Sequence, residues 1–328
     1  MSYFLAGDIG GTKTLLQVFS AGQERSPVLR KSYPSAGFAG LAEIVDVFLQ
    51  EAKIQEVSSA CFALAGPVSG RKAKLTNLPW EVDANFLAAH FHISHVALIN
   101  DFEAVGLGIA ALETDDLFTL QQGASQEQGA RIVVGAGTGL GVAWLSWTGE
   151  GYAVHPSEGG HIDFAPTNEM QYALLKYLQH RHGHVSYERI VSGPGLVAIF
   201  EFLRDSQYAT PSAELISAIN NGDAAAAIAG FAIEKKEIIA VQSLDMFIQI
   251  YGAFVGNVAL AALPRGGIYI AGGIAAKIAR EVQQGGFIEN YLDKGRFREL
   301  LASFPLSIVM NSNVGLLGAS LLAQKIAK

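Results

Sequence analysis

The chain has 328 residues, half of them hydrophobic and 16% charged, with a formal net charge of −7. At roughly 100–200 residues per domain this predicts two domains with cores of their own, and the apolar excess excludes a disordered chain. The acidic balance, with a pI near 5.6, argues against nucleic acid or an anionic membrane as the main partner.

Residues 3–7 form an apolar run with no basic leader ahead of it, so no signal peptide is expected and the expected location is cytoplasmic. The run predicts a strand that ends in a glycine-rich turn, and strand resumes over residues 15–19. Apolar residues at helical spacing predict a helix over residues 41–52. Residues 60–65 and 96–99 read as buried strands, and a helix is expected over 103–112. Such alternation is an α/β layer with at least one parallel pairing. The only cysteine, Cys61, excludes an internal disulfide and a cysteine-cluster metal site.

The polar stretch 121–129 reads as a loop near a domain junction, and strands follow at 131–134 and 142–145 around another glycine-rich turn. Residues 168–258 are mostly helical in pattern. The apolar stretch 238–263 is interrupted by Gln242, Asp245, Gln249 and Asn257, which argues for one buried helix or two in succession rather than a bilayer span. Strand returns at 268–270, and residues 314–327 have a helical composition. Strand, glycine-rich turn and strand thus occur twice, around residues 7–14 and 135–141, as two related halves would show.

Gly7-Asp8-Ile9-Gly10-Gly11-Thr12 has the makings of a phosphate cradle, because missing side chains let backbone N–H groups approach oxygens closely and Thr12 adds a hydroxyl. No Gly-Lys-Ser/Thr follows at the spacing of a P-loop. Gly135 to Gly141 fails the Gly-x-Gly-x-x-Gly dinucleotide pattern in both registers. Each loop reads equally as a structural hairpin turn or a ligand site, and Gly272-Gly273 adds weight to a nucleotide. Asp8, just past a strand end, is a Mg²⁺ partner through water or a turn-stabilising residue. Asn100 and Asp101 stand directly after a buried strand, either as helix N-caps or as polar groups at the ligand-binding end of the strand. Ser157-Glu158-Gly159-Gly160-His161 sets an acid and an imidazole around two glycines, and Glu188 precedes the turn Ser192-Gly193-Pro194-Gly195. His180, His182 and His184 end a helical segment with Gly183 as its C-cap, and His90, His92 and His95 read as surface residues around another helix end. Neither set forms a zinc site of familiar type.

These pieces occur in one order with Ile270-Ala271-Gly272-Gly273-Ile274, Asp293-Lys294-Gly295-Arg296-Phe297 and Gly315-Leu316-Leu317-Gly318. The ordered set resembles the bacterial glucokinase family of the hexokinase and actin-like ATPase superfamily, over essentially the whole chain. The resemblance implies a two-lobed α/β fold of ribonuclease H-like domains with a cleft between the lobes. A small domain of residues 1–111 with 307–328 and a large one of residues 112–306 are expected. It implies ATP- and Mg²⁺-dependent phosphorylation of D-glucose at the 6-hydroxyl by a homodimer. By position, Asp101 is then the catalytic base, and Asn100, Asp101, Glu158, His161 and Glu188 are sugar ligands with Gly139 beside them. Gly7 to Thr12 form the ATP phosphate loop, joined by Gly137, Thr138, Gly272 and Gly273, with Asp8 toward the metal. Lys13 departs from the Asn that several members carry after the threonine. The related sugar-kinase group that includes repressors continues into a cysteine-rich zinc motif, which residues 162–170 lack, so no zinc is expected. Three alternatives are a kinase for another hexose or amino sugar, a sugar-responsive regulator and an actin-like ATPase. The regulator is disfavoured by the acidic charge and by a strand pattern that begins at Tyr3, ahead of which a helix-turn-helix has no room.

Overall fold

The computed structural model describes residues 2–75 and 78–327. Its fold is mixed α/β and parts into two compact units. One comprises the chain up to Thr114, the segment Thr148–Pro156 and the chain from Asn311 onward; the other comprises Asp115–Trp147 and Ser157–Met310. The partition falls a few residues from the expected borders and assigns Thr148–Pro156 to the first unit, which an unbroken 112–306 domain does not.

The first unit is built on β1 (Tyr3–Ile9), β2 (Lys13–Ser20), β3 (Leu29–Pro34), β4 (Ser59–Leu64) and β8 (His95–Asn100), in the order β3-β2-β1-β4-β8. β1 to β3 form an antiparallel meander, and β4 and β8 run parallel to β1. Three short strands, β5 (Val68–Ser69), β6 (Lys72–Lys74) and β7 (Glu81–Asp83), make a separate small sheet. Every residue of β4 is buried, the pattern of a strand covered on both faces.

The two-residue period of β1 sorts its side chains between two cores. Leu5 and Ile9 join Leu16 and Phe62 under Ile44, Val45 and Phe48 of the helix Leu41–Ala52. Phe4 and Ala6 pack with Cys61 and Ala63 against Leu316, Ala319 and Ala323 of the helix Val314–Ile326. Asp8 continues that second face by the same alternation. The terminal helix also lies against the helix Asp101–Gly108 at backbone contact. A Cβ on Gly318 would stand 1.8 Å from the Ala104 carbonyl oxygen, and one on Gly108 would stand 2.0 Å from that of Val314. Only glycine permits this approach, which fixes the helix that begins at Asp101.

In the second unit β10 (Arg131–Ala136) pairs antiparallel with β11 (Leu140–Trp147) and parallel with β13 (Gly267–Ala271). β13 is followed by parallel β14 (Leu306–Val309), and β9 (Leu117–Gln121) closes that edge antiparallel. Most of β12 (Tyr152–Ser157) belongs to the first unit. The order β11-β10-β13-β14 repeats β2-β1-β4-β8, so the twofold recurrence of the glycine hairpin reflects two sheets wound alike. Residues 238–262 form one helix of 25 residues rather than two. It is long and apolar enough to cross a bilayer, yet 72% of its apolar window is buried, as suits the central helix of a core.

Candidate functional site

In the first unit, Asn100 ends β8 and is itself the N-cap of the helix Asp101–Gly108. Its Oδ1 accepts from the Phe102 N–H at 2.9 Å, and its Nδ2 donates to the Gly66 carbonyl at 3.2 Å. The capping role therefore falls to Asn100, and Asp101 is the first helical residue, its Oδ1 accepting from Phe102 N–H at 2.8 Å. A helix N-terminus favours a carboxylate. Burial nonetheless pushes the Asp101 carboxyl above the usual carboxylate range, against the pull of the Phe102 N–H and Asn100.

Asp8 lies inside β1, paired with Leu15 and Ala63, rather than past the strand end. Burial, then the nearby Asp101 charge, raises its carboxyl to about 6, and Lys13 pulls it back. Gly315 leaves room there: a Cβ on it would stand 3.7 Å from Asp8 Oδ2 and 4.0 Å from the Asp101 carbonyl oxygen. A buried carboxyl that a second carboxylate makes costlier to ionise suits a cation. An oxygen-only set of one or two carboxylates, with phosphates and water completing the shell, fits Mg²⁺.

The β1–β2 turn closes through Gly10 N–H to the Lys13 carbonyl at 3.0 Å. Gly7 sits within β1, and a Cβ on it would meet Leu16 and Phe62 side chains at 2.8 Å. Its glycine is thus explained by core packing, and the Ile9 side chain is fully buried. Beyond β1 the expected phosphate loop reaches solvent at Gly10 and Gly11, which are half-buried, and at Thr12, which is exposed.

The second unit gathers the remaining candidates. Gly137, Thr138 and Gly139 form the β10–β11 turn, closed by Gly137 N–H to the Gly139 carbonyl at 2.8 Å. Gly193 N–H donates to the Gly137 carbonyl at 2.8 Å, tying this turn to the helix Gly193–Asp205. Gly272, at φ +90°, passes so close that a Cβ would stand 2.5 Å from the Ala136 carbonyl oxygen, while Gly273 faces open space.

Glu188 sits in the short turn Tyr187–Arg189, whose buried Tyr187 packs on Phe164 and Phe254. Its Oε2 accepts from the Leu140 N–H at 2.8 Å, and a Cβ on Gly139 would stand 2.5 Å from that oxygen. His161 Nε2 lies 3.7 Å from Glu188 Oε1 and 3.9 Å from Glu158 Oε2. Both separations exceed hydrogen-bond length, so the three side chains keep donors and acceptors for a ligand. Gly160 makes the approach possible, since a Cβ would stand 2.0 Å from the Leu140 carbonyl oxygen.

The remaining histidines do not converge. His180 Nδ1 donates to the Lys176 carbonyl one turn back, His184 faces Asp163 at 3.4 Å, and His90 faces Asp46 at 3.1 Å. His95 opens β8 rather than flanking a helix end. Among the described residues no three His, Cys, Asp or Glu side chains are grouped to hold a metal. Sequence reading missed Ser192, which reads there as part of a turn. It is the N-cap of the helix Gly193–Asp205, its Oγ donating to the Glu188 carbonyl at 2.7 Å and accepting from Gly195 N–H at 3.1 Å. A serine two residues before proline is a helix-start signal and could have revealed it.

Residues 5–326 match the family model described as Glucokinase. The chain is 46% identical to a glucokinase of Nostoc punctiforme (strain ATCC 29133 / PCC 73102), the alignment covering 99% of this chain and 100% of the relative. A crystal structure of glucokinase from an Antarctic psychrotroph superposes with a TM-score of 0.84 at 27% identity, covering 99% of each chain. A second, glucokinase from Balamuthia mandrillaris in complex with glucose, shares the fold with a TM-score of 0.79 at 21% identity, covering 98% of this chain and 94% of that one. The chain belongs to the glucokinase family of ATP-dependent hexose kinases.

Proposed function

We propose that this protein transfers the γ-phosphoryl group of ATP to the 6-hydroxyl of D-glucose, with Asp101 as general base. The observation that carries the reading is the convergence of Glu158, His161 and Glu188 beside the Gly137–Gly139 turn, with an oxygen of each acid within 4 Å of the His161 imidazole. A sugar presents hydroxyls that both donate and accept. Carboxylates accept from them, and His161 and Asn100 supply donors.

Phosphoryl transfer asks a protein for positioning, charge stabilisation and a residue to take the hydroxyl proton. Asp101 takes that proton from the 6-hydroxyl as its oxygen bonds to phosphorus. Its carboxyl is held in place by Phe102 N–H, and its helix is fixed by Gly108 and Gly318. Asn100 Nδ2 has a second N–H beyond the one given to Gly66, available to a sugar hydroxyl. The N–H groups of Gly11 and Thr12 in the first turn and of Thr138 in the second are the donors offered to the phosphates, while the Gly10 and Gly137 N–H groups close their own turns and Gly272 and Gly273 leave room for the nucleotide. Asp8 would hold Mg²⁺, and the ion would supply neutralisation of the phosphate charge. The protein works in the cytoplasm as a homodimer, and its activity requires Mg²⁺ but no zinc.

A coupled assay of ADP release across D-glucose, mannose, fructose and amino sugars tests the reading. Glucose is expected to give the highest kcat/KM, with activity abolished by Mg²⁺ removal and unchanged by zinc chelation. Preference for another hexose would reassign the substrate, and sugar-independent ATP hydrolysis would overturn the kinase reading. Light scattering checks the dimer.

A further inference from the structure

A turn that binds phosphate through its N–H groups has an electrostatic problem: its own carbonyl oxygens repel the anion if they face it. In the β1–β2 turn this problem is solved by Ser35, which lies twenty-three residues beyond Thr12 at the start of the short helix Ser35–Gly37. Ser35 is fully buried, as is its partner Thr14. Burying two hydroxyls in an apolar layer is costly unless each is paired. Here the pairing runs to the glycine turn.

Ser35 Oγ donates to the Gly10 carbonyl at 2.9 Å, and Ser35 N–H donates to the Thr12 carbonyl at 3.0 Å. The Ser35 hydroxyl has one proton, and it is given to Gly10. Thr14 Oγ1, 3.0 Å from Ser35 Oγ, is therefore the donor in that contact. The Lys13 carbonyl is taken by Gly10 N–H at 3.0 Å. Three carbonyls of the turn, at Gly10, Thr12 and Lys13, are thus engaged by protein donors, two of them by one residue. The N–H groups of Gly11 and Thr12 have no protein acceptor among the described residues.

We infer that Ser35 is a positioning residue for nucleotide: it draws the Gly10 and Thr12 carbonyls inward, so that the turn presents N–H groups to the phosphates. The inference rests on the reading of Gly10 to Thr12 as the phosphate turn. Ser35 acts only through the turn and contacts no substrate. Thr14 sets the direction of the Ser35 hydroxyl and contributes at second hand.

The test measures ADP and glucose affinities by calorimetry, with thermal unfolding, for Ser35→Ala, Thr14→Val and Gly11→Val. Ser35→Ala keeps the backbone bond to Thr12 but releases the Gly10 carbonyl. It is expected to weaken ADP about five- to twentyfold, from one lost hydrogen bond and a carbonyl free to face the anion, with glucose affinity within twofold of wild type. Thr14→Val, which keeps the shape and removes the donor, is expected to act in the same direction by a smaller factor, and carries the test if Ser35→Ala does not fold. Gly11→Val blocks close approach and should abolish ADP binding. Wild-type ADP affinity in Ser35→Ala and Thr14→Val, with ADP binding lost in Gly11→Val, overturns the role of Ser35 and leaves the phosphate turn standing. ADP binding retained in Gly11→Val overturns both. Equal weakening of ADP and glucose in Ser35→Ala reduces Ser35 to a packing residue and also overturns the inference.

Discussion

Asp8→Asn should make the protein more stable and less active, and the size of the first effect follows from the cost of ionising Asp8. Its carboxyl is raised from 3.8 to about 6, first by burial and then by Asp101. At roughly 1.4 kcal/mol per pH unit, holding the ionised form in the fold costs about 3 kcal/mol. Between pH 4 and 6 the folded state therefore binds more protons than the unfolded one. Stability from this group is full below pH 4 and is lost as pH rises through 6. An amide of the same shape escapes that cost. Thermal unfolding of variant and wild type should coincide near pH 4 and diverge with rising pH. By pH 7 the variant should melt about 6–12 °C higher, at ~2–4 °C per kcal/mol for a unit of this size. Turnover with MgATP should fall in the same preparation. A variant that melts lower than wild type at pH 7, or by a constant difference across pH 4–8, would refute the account of Asp8.

Two further substitutions probe the sugar group and the packing beneath the base. Glu188→Gln removes a charge-assisted acceptor and weakens the clasp on Leu140 N–H. Steady-state kinetics should show glucose KM raised about 10- to 100-fold, for a bond of ~1.5–3 kcal/mol, with ATP KM within threefold. Gly318→Ala sets a methyl 1.8 Å from the Ala104 carbonyl oxygen. Backbone cannot yield as a side chain does, so denaturant unfolding should show a loss of about 3 kcal/mol or more, at the upper end of overpacking costs.

Much of this architecture is legible from pattern alone. The helix Leu41–Ala52 is found to the residue because its apolar positions recur at helical spacing between Gly40 and Lys53. β4 and β8 follow from short apolar runs bounded by polar residues. β3 and β14 are missed, since Leu29–Pro34 carries Arg30, Lys31 and Ser32 on an edge and Leu306–Val309 has only four residues. The helix at Asp101 starts two residues earlier than expected because Asn100, not its neighbour, caps it. Gly7 shows the limit of motif reading: inside a glycine-rich loop in the sequence, it is a buried strand residue in the fold. Ser35 and the Leu140 N–H leave no local signal, because each reaches its partner across the chain through sheet pairing and turns that composition does not encode.

The central claim is that Asp101 is the base, and Asp101→Asn measures it most directly. Asn100 caps the helix, so the substitution leaves the cap bonds to Phe102 in place and should leave folding intact. An amide cannot accept the hydroxyl proton, and general-base contributions are typically about 10²–10⁴-fold. At saturating glucose and MgATP, turnover should fall at least about a hundredfold, while glucose affinity changes far less because Asn still hydrogen-bonds the 6-hydroxyl. A folded Asp101→Asn protein that keeps more than about a tenth of wild-type turnover would contradict the assignment, since that lies outside the range of a lost base.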